Sequence, residues 1–139
     1  MRTFTTTIAL LTLTITVASL PARAADPAAA RQAILKQLQA QNGGKPFSAE
    51  QGRAFFLAKH SGGKPNISSC TVCHTKNPRA AGRTRTGKVI KPMAVSANPQ
   101  RFTDPRKVAK WFRRNCRTVL GRECTAREKG DFITFMMSQ

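Results

Sequence analysis

Two cysteines and a histidine lie close together in the stretch "SSCTVCHTKNP", which covers residues 68–78. Cys70 and Cys73 are three positions apart, and His74 follows the second cysteine directly. This C-x-x-C-H spacing is the attachment pattern of c-type haem. It brings two thiols to the two vinyl groups on one porphyrin edge and an imidazole to the iron. The stretch therefore predicts one covalently attached haem c, with His74 as an iron ligand.

Two other chemistries use paired cysteines: a zinc site and a thioredoxin-type dithiol. A zinc site needs two more ligands at metal-binding spacing, whereas Cys116 and Cys124 are eight positions apart. A redox dithiol is typical of a βαβ unit, and no such pattern is visible in the sequence. Both alternatives therefore rank below haem attachment.

The first 24 residues differ from the rest of the chain. Arg2 supplies a positive charge, residues 8–20 are apolar and rich in threonine, and residues 22–24 form a small-x-small cleavage pattern. These features are typical of a secretory signal peptide over residues 1–24. The alternative is a membrane anchor, but the apolar stretch is shorter than the roughly 20 residues that a span needs. We therefore expect a periplasmic protein in an oxidising compartment, where disulfides persist.

Helical segments must position the haem-binding motif. Capping residues precede four such segments, and these candidate caps are Asp26, Ser48, Thr103 or Asp104, and Thr125. In the second segment, Gln51 has capping-box spacing from Ser48, and Gly62 is expected to end the helix. The connection over residues 75–102 is rich in Pro and Gly, so it is predicted to be mostly loop. We predict an all-α fold of about four helices wrapped around one haem. The expected organisation is a helical extension over residues 25–46 and a haem domain over residues 47–139.

A close helix crossing is predicted between the second and the last helix. A glycine permits close approach of two helices, and aromatic side chains fill the space beside it. The residues expected to meet there are Gly52, Phe56, Phe132 and Phe135. Crossed terminal helices of this kind resemble the frame of class I cytochrome c folds.

The sixth ligand of the iron decides what the haem does. Met93 lies 19 residues after His74, and loop methionines at such positions are common sixth ligands in electron carriers. Trp111 and Asn115 lie four apart on the third helix, so Trp111 is expected to cover the haem and Asn115 has an amide on the same face. On the residues alone, helix capping is favoured over iron binding for Asn115. His60, the other histidine, is expected at the surface.

Four segments resemble the SHP-type (sphaeroides haem protein-like) monohaem cytochromes c of the class I cytochrome c superfamily. They are "GGKPNISSCTVCH", "RTRTGKVIKPMAVSANPQRFTD", "WFRRNCRTVLGREC" and "EKGDF", and the resemblance covers roughly residues 47–139. The resemblance implies a class I-like fold, a periplasmic location and Asn115 as the sixth ligand. It also implies that this ligand is released on reduction, which frees the iron to bind oxygen or nitric oxide.

Further expectations accompany this resemblance. Electron partners in the family are a dihaem cytochrome c and a membrane b-type cytochrome. Met93 departs from the family pattern, which mostly has another apolar residue there, and a Met93 ligand would weaken the gas-binding interpretation. Cys116 and Cys124 make sense as a disulfide. Its role is either to fix the neighbouring Asn115 or to act as a structural staple.

The charge of the chain is strongly positive. It has 24 Lys and Arg against six Asp and Glu, a formal charge of +18, and removal of residues 1–24 would leave 22 basic residues and a charge of +16. Arg83 and Arg85 are predicted to pair with the haem propionates, and the other basic residues are predicted to steer an acidic redox partner. Export and the lack of interleaved aromatic residues argue against nucleic acid. Membrane contact is expected to be peripheral at most.

The sequence thus predicts a cytochrome that carries electrons and binds a small diatomic molecule when reduced. A haem enzyme that processes oxygen or nitric oxide species ranks second, because no Arg or His is clearly placed as a distal acid–base group. An ordinary electron shuttle with His74 and Met93 as ligands ranks third. We therefore favour an electron-transfer and ligand-binding protein over an enzyme.

Overall fold

The computed structural model describes residues 26–139, so the predicted signal peptide over residues 1–24 lies outside the described residues. The elements in chain order are α1 (Pro27–Gln41), α2 (Ala49–Leu57), α3 (Thr71–His74), β1 (Gly82–Arg83), β2 (Val89–Ile90), α4 (Pro105–Leu120) and α5 (Ala126–Ser138). The fold is mostly helical, as predicted. The described part of the chain has five helices rather than about four, because the C-x-x-C-H motif forms the single-turn helix α3. Within the described part of the chain, no helix is long and apolar enough to cross a membrane.

All four predicted helix starts are confirmed by their N-caps. The Asp26 carboxylate accepts a hydrogen bond from the backbone N–H of Ala28 at the start of α1, where Pro27 is the first helical residue. Asp104 caps α4 by accepting from two backbone N–H groups at 2.9 and 3.0 Å. Thr125 and Glu128 form a reciprocal capping box at the start of α5. Each cap satisfies N–H groups that have no partner inside the helix.

The α2 helix begins after Ser48 as predicted, but the second partner in its cap and its last residue differ from the prediction. Ser48 Oγ accepts from the backbone N–H of Gln51 at 3.2 Å, as expected. The backbone N–H of Ser48, however, donates to the Asp131 carboxylate at 2.7 Å, so a residue of α5 completes the cap instead of the Gln51 side chain. The helix ends at Leu57, before the predicted stop at Gly62.

The crossing of α2 and α5 forms the centre of the core. A Cβ atom at Gly52 would lie 2.0 Å from the backbone oxygen of Asp131, so only glycine permits this approach. The fully buried Phe56 ring lies 5.9 Å from the rings of both Phe132 and Phe135. The predicted crossing is therefore confirmed. We call Phe56, Phe132, Phe135 and Met136 the aromatic cluster.

The α1 helix packs on another part of α5. Ile34 and Leu38 form a second core cluster with the fully buried Ile133 of α5. Phe102, from the segment before α4, packs against this cluster as well as against the aromatic cluster. The helix predicted as an N-terminal extension thus shares core contacts with the domain that follows it.

A small antiparallel hairpin lies in the connection that was predicted to be mostly loop. Gly82 pairs with Ile90 and Arg83 with Val89. The turn between the strands includes Gly87 at φ 82°, a left-handed conformation that glycine adopts without strain. Two residues per strand are too few for an alternating pattern, which is why the sequence analysis did not predict them.

Gly52→Ala tests the helix crossing. The new methyl group would overlap backbone atoms of α5, so we expect a loss of about 1–3 kcal/mol in the free energy of unfolding. Chemical denaturation measures this loss. Arg53→Ala at the neighbouring exposed position should change it by less than about 0.5 kcal/mol. Equal stability of the two variants would contradict the crossing described here.

The start of α5 predicts a dependence of stability on pH. A two-pronged hydrogen bond from Arg122 is the main cause that lowers the pKa of the Glu128 carboxyl below its ordinary value of 4.5. A carboxylate with a lowered folded-state pKa stabilises the fold above its unfolded pKa, and this contribution disappears as the pH falls through the folded value. Stability should therefore fall below about pH 4.5 in part through Glu128.

Thermal unfolding measured across this pH range provides the test. Glu128→Gln should be less stable than the parent near neutral pH and should lose less stability on acidification. Glu50→Gln removes an exposed carboxylate from α2 and should leave the pH dependence unchanged. If Glu128→Gln shows the same acid-induced loss as the parent, the carboxylate does not act in this way.

Candidate haem-attachment site

The C-x-x-C-H motif is shaped into one tight helical turn. The backbone N–H groups of Cys73 and His74 donate to the carbonyl oxygen of Cys70 at 3.3 and 3.1 Å. The buried Ser69 begins the turn, since its Oγ accepts from the backbone N–H of Thr71 at 3.2 Å. Thr75 ends it in a left-handed conformation at φ 61°. The turn therefore holds both thiols and the imidazole on one short rigid element.

The side chains of Cys70, Cys73 and His74 are half-buried. Cys70 and Cys73 are free thiols and not a disulfide. Burial raises the pKa of the Cys70 thiol to about 11, and the neighbouring Cys73 adds to the rise. Burial also lowers the pKa of His74 to about 4, with a smaller effect from the positive charge of Arg101. A neutral imidazole is the form that binds a metal.

The β1 strand lies directly against the motif. A Cβ atom at Gly82 would lie 2.0 Å from the carbonyl oxygen of Cys73 and 3.0 Å from the Cα atom of His74. Both contacts are with backbone atoms, so no side-chain rotation relieves them. Gly82 therefore allows the hairpin to cover the peptide bond between the second cysteine and the histidine.

The segment that contains Met93 is tied to the residues that follow the motif. The backbone N–H groups of Met93 and Ala94 both donate to the carbonyl of Pro78 at 2.9 Å. The Arg101 Nε donates to the carbonyl of Pro92 at 2.9 Å. The Met93 side chain packs against the aromatic cluster. These contacts place the segment beside the chain that leaves His74.

The α4 helix has the other predicted site residues on an exposed face. Asn115 is exposed, and Trp111, one turn earlier, is 50% exposed with the Arg114 guanidinium 5.2 Å from its ring centre. The next residue, Cys116, is buried and forms the predicted disulfide with Cys124. The disulfide thus fixes the backbone immediately after Asn115. Within the described residues, no hydrogen bond connects Trp111 or Asn115 to the motif turn.

The predicted propionate partners lie on the hairpin. Arg83 is on β1, and its guanidinium donates to the carbonyl of Gly87 at 3.1 Å. Arg85 is exposed in the turn. His60 was expected at the surface, but it is half-buried, and its Nε2 lies 3.0 Å from the carbonyl oxygen of Phe55. Arg83 therefore lies on the strand that contacts the motif turn, and both arginines are exposed.

The residues present fit a covalently attached haem. Two free thiols and a neutral imidazole on one turn supply the required donor set. Large apolar side chains are exposed on the motif turn, on β2 and on α4, which suits a broad flat apolar group; they are Val72, Val89 and Trp111. Among residues 26–139, no group of three or more His, Cys, Asp or Glu side chains is arranged to hold a metal ion by itself. Since Cys116 and Cys124 are bonded to each other, they are not ligands of a zinc site.

Sequence reasoning missed three residues that shape this site. Gly82 was predicted only to lie in a loop. The sequence feature that could have indicated its contact with the motif is its position eight residues after His74 in a Pro- and Gly-rich segment. Arg101 was not singled out, although it holds the Met93 segment. Arg31, from α1, was not considered because a basic residue in an amphipathic helix normally faces solvent. It is in fact only 7% exposed.

The chain is similar to several known proteins. Residues 42–136 match the protein family described as a domain of unknown function, DUF1924. Cytochrome c-type protein SHP of Cereibacter sphaeroides is 52% identical over 96 residues, which is 69% of this chain and 74% of that protein. The structure of oxidised SHP, described as an oxygen-binding cytochrome c, superimposes with a TM-score of 0.75 at 47% identity, covering 78% of this chain and 96% of that one.

A second solved structure shows the same architecture. Oxidised cytochrome c'' from Methylophilus methylotrophus superimposes with a TM-score of 0.66 at 30% identity, covering 82% of this chain and 94% of that one. The helices and the motif turn therefore define a c-type cytochrome with the cytochrome c fold. Within that class, the chain belongs to the SHP-type monohaem cytochromes c, as its sequence predicted. Membership in this group implies a covalently attached haem c.

Gly82→Ala tests the close contact between β1 and the motif. The added methyl group would force apart backbone atoms of the hairpin and the motif turn, at a cost of about 1–3 kcal/mol in the free energy of unfolding. We also expect a lower ratio of haem absorbance to protein absorbance. Ala81→Ser, at the adjacent exposed position, is the matched control and should change neither quantity. Unchanged haem content and stability in Gly82→Ala would show that the contact is not required.

Proposed function

We propose that the protein is a periplasmic cytochrome that carries electrons and, when reduced, binds oxygen or nitric oxide. Cys70 and Cys73 form the thioether links to the haem, His74 is the proximal ligand and Asn115 is the removable distal ligand. The observation that carries the proposal is the motif turn, on which two free thiols and a neutral imidazole are held together. The similarity to the oxygen-binding SHP supports the ligand class.

The haem supplies an iron that exchanges one electron and has a coordination site for a diatomic molecule. The chain determines how open that site is. An amide oxygen from Asn115 would be a hard, weak donor, and it would hold the softer reduced iron less well than the oxidised iron. A thioether from Met93 would instead hold the reduced iron well. An Asn115 ligand therefore links reduction to opening of the site.

Two features of the structure favour Asn115 over Met93. Met93 packs against the aromatic cluster, and its backbone is tied to Pro78, close in the chain to the proximal His74. Asn115 lies on an exposed face of α4, one turn after the exposed Trp111, whose ring would cover the haem. An apolar ring and one amide on the same face suit the distal side of a haem.

The disulfide is proposed to keep the amide in place. Cys116 and Cys124 are buried, and their bond lies directly after Asn115 in the chain. A cross-link of this kind limits how far the end of α4 can move when Asn115 leaves the iron. The ligand would then return to the same position after reoxidation instead of drifting away.

The basic surface supports an acidic redox partner. The hairpin region exposes five basic side chains, which are Arg79, Arg83, Arg85, Lys88 and Lys91. Four exposed basic residues of α4 form no ion pair within residues 26–139, and they are Arg106, Lys110, Arg113 and Arg114. Such a surface speeds encounter with an acidic protein at low salt. A dihaem cytochrome c and a membrane b-type cytochrome are the proposed partners, and Arg83 and Arg85 are proposed to reach the haem propionates.

Replacement of the two candidate ligands tests the proposal. Asn115→Ala and Met93→Ala are produced with haem attached, and absorption spectra are recorded in the oxidised and reduced states. Asn115→Ala should make the oxidised iron high-spin and speed imidazole binding to it by at least about tenfold, which corresponds to about 1.4 kcal/mol. Met93→Ala should leave the spin state and the binding rate unchanged.

The spectra of the unsubstituted protein complete the test. Reduction should give a high-spin iron that binds carbon monoxide. A sulfur-to-iron charge-transfer band in the oxidised protein that disappears in Met93→Ala would contradict the proposal and establish an ordinary electron shuttle. Catalytic turnover of oxygen or nitric oxide would instead support the haem enzyme.

A further inference from the structure

A buried arginine lies on α1, before the residues that match the family domain. Arg31 is 7% exposed, and within residues 26–139 it forms no ion pair with a carboxylate. One terminal nitrogen donates to the carbonyl oxygens of Pro99 and Arg101, at 2.6 and 3.3 Å, and the buried Nε has no hydrogen-bond partner. Burial of a charged side chain costs free energy unless the charge is paired and hydrogen-bonded. Its position therefore calls for a role beyond filling space.

The helix that bears Arg31 is firmly held. Ile34 and Leu38, one and two turns further along α1, pack with the fully buried Ile133 of α5. Arg31 is thus attached to a rigid support. The two carbonyl groups that it binds belong to an irregular segment between the hairpin and α4. The guanidinium consequently anchors this segment to the core.

One line of contacts runs from this anchor towards the proximal side of the site. The backbone of Arg101 is bound by Arg31, while its own guanidinium donates to the carbonyls of Lys91 and Pro92. Met93 and Ala94 follow Pro92 in the chain. Their backbone N–H groups donate to the carbonyl of Pro78, which lies four positions after His74. Arg31 and Arg101 therefore hold the segment that contains Met93 beside the residues that follow His74.

A second line runs towards the proposed distal side. Phe102 follows Arg101 directly in the left-handed conformation at φ 61°, and it packs between the two core clusters. Asp104 then caps α4, the helix on which Asn115 lies. The N-cap of α4 therefore lies three and five residues after the two carbonyl groups that Arg31 binds.

We propose that Arg31 is a positioning residue for the iron site, which acts through Arg101 and the segment around it to keep α4, and with it Asn115, in the closed position. This inference rests on the proposed function, since it takes Asn115 as the distal ligand. It assigns to α1 a part in controlling how readily a small molecule reaches the iron. Loss of Arg31 would free the start of α4 and let Asn115 leave the iron more often.

The test measures the rate of imidazole binding to the oxidised iron of the haem-loaded protein. Arg31→Met keeps the apolar stem but removes the hydrogen-bond donors, and it should raise this rate by about tenfold. Arg31→Lys keeps the charge with a smaller donor group and should give an intermediate rise. If Arg31→Met fails to fold, Arg31→Lys provides the same comparison.

Two controls separate positioning from a general loss of stability. Lys36→Met changes an exposed residue of the same helix and should leave the rate unchanged. Ile133→Val trims a side chain of the α1–α5 cluster and should lower the melting temperature, because such changes cost about 0.5–1.5 kcal/mol. Its imidazole rate should nevertheless match that of the parent.

The outcomes distinguish this inference from the proposed function. If Asn115→Ala speeds imidazole binding while both Arg31 variants behave like Lys36→Met, the role of Arg31 is overturned and the ligand assignment stands. If Asn115→Ala has no effect, the proposed function itself fails. If Ile133→Val raises the rate as much as Arg31→Met, the effect reflects stability alone and the positioning role is rejected.

Discussion

The close crossing of α2 and α5 at Gly52 is the contact on which the rest of the structure depends. Because a Cβ atom there would lie 2.0 Å from the Asp131 backbone oxygen, the two helices meet at backbone distance. The Asp131 side chain also completes the cap of α2 through the backbone N–H of Ser48. This crossing assembles the aromatic cluster, against which Cys70 and Met93 both pack. The core and the haem-attachment turn therefore share one set of contacts.

The site combines tightly held parts with one exposed part. On the motif side, Gly82 permits backbone contact with the Cys73–His74 peptide, and Pro78 is bonded to the segment that contains Met93. On the α4 side, Asn115 is exposed, although the residue after it is buried in a disulfide. This difference between the two sides supports the proposal that Asn115 is a ligand that leaves the iron and returns. An ordinary electron shuttle has less need of this asymmetry.

Much of the fold could be predicted because its signals are local. Asp104 and Thr125 mark helix starts through hydrogen bonds to the next few residues, and the C-x-x-C-H spacing itself demands one tight turn. The spacing of Gly52 and Phe56 also predicted the crossing of α2 and α5, because a glycine one turn before an aromatic residue on a helix suggests close approach of another helix. Local spacing therefore predicted the frame and the attachment residues.

The missed features depend on contacts between distant parts of the chain. Arg31 bonds to carbonyl groups 68 and 70 residues later, and its sequence neighbours give no sign of that burial. Asp131 replaced Gln51 in the cap of α2 for the same reason, since it comes from another helix. The hairpin at Gly82 was overlooked because each strand has only two residues. Such features follow from packing and not from periodicity.

The central claim is that an amide and an imidazole hold the iron from opposite sides, and that the amide leaves on reduction. Crystal structures of the haem-loaded protein in the oxidised and reduced states measure this most directly. The account predicts thioether bonds at Cys70 and Cys73, His74 on the iron in both states, and the Asn115 oxygen on the iron in the oxidised state alone. A Met93 sulfur on the iron, or an Asn115 side chain remote from it in both states, would contradict the account.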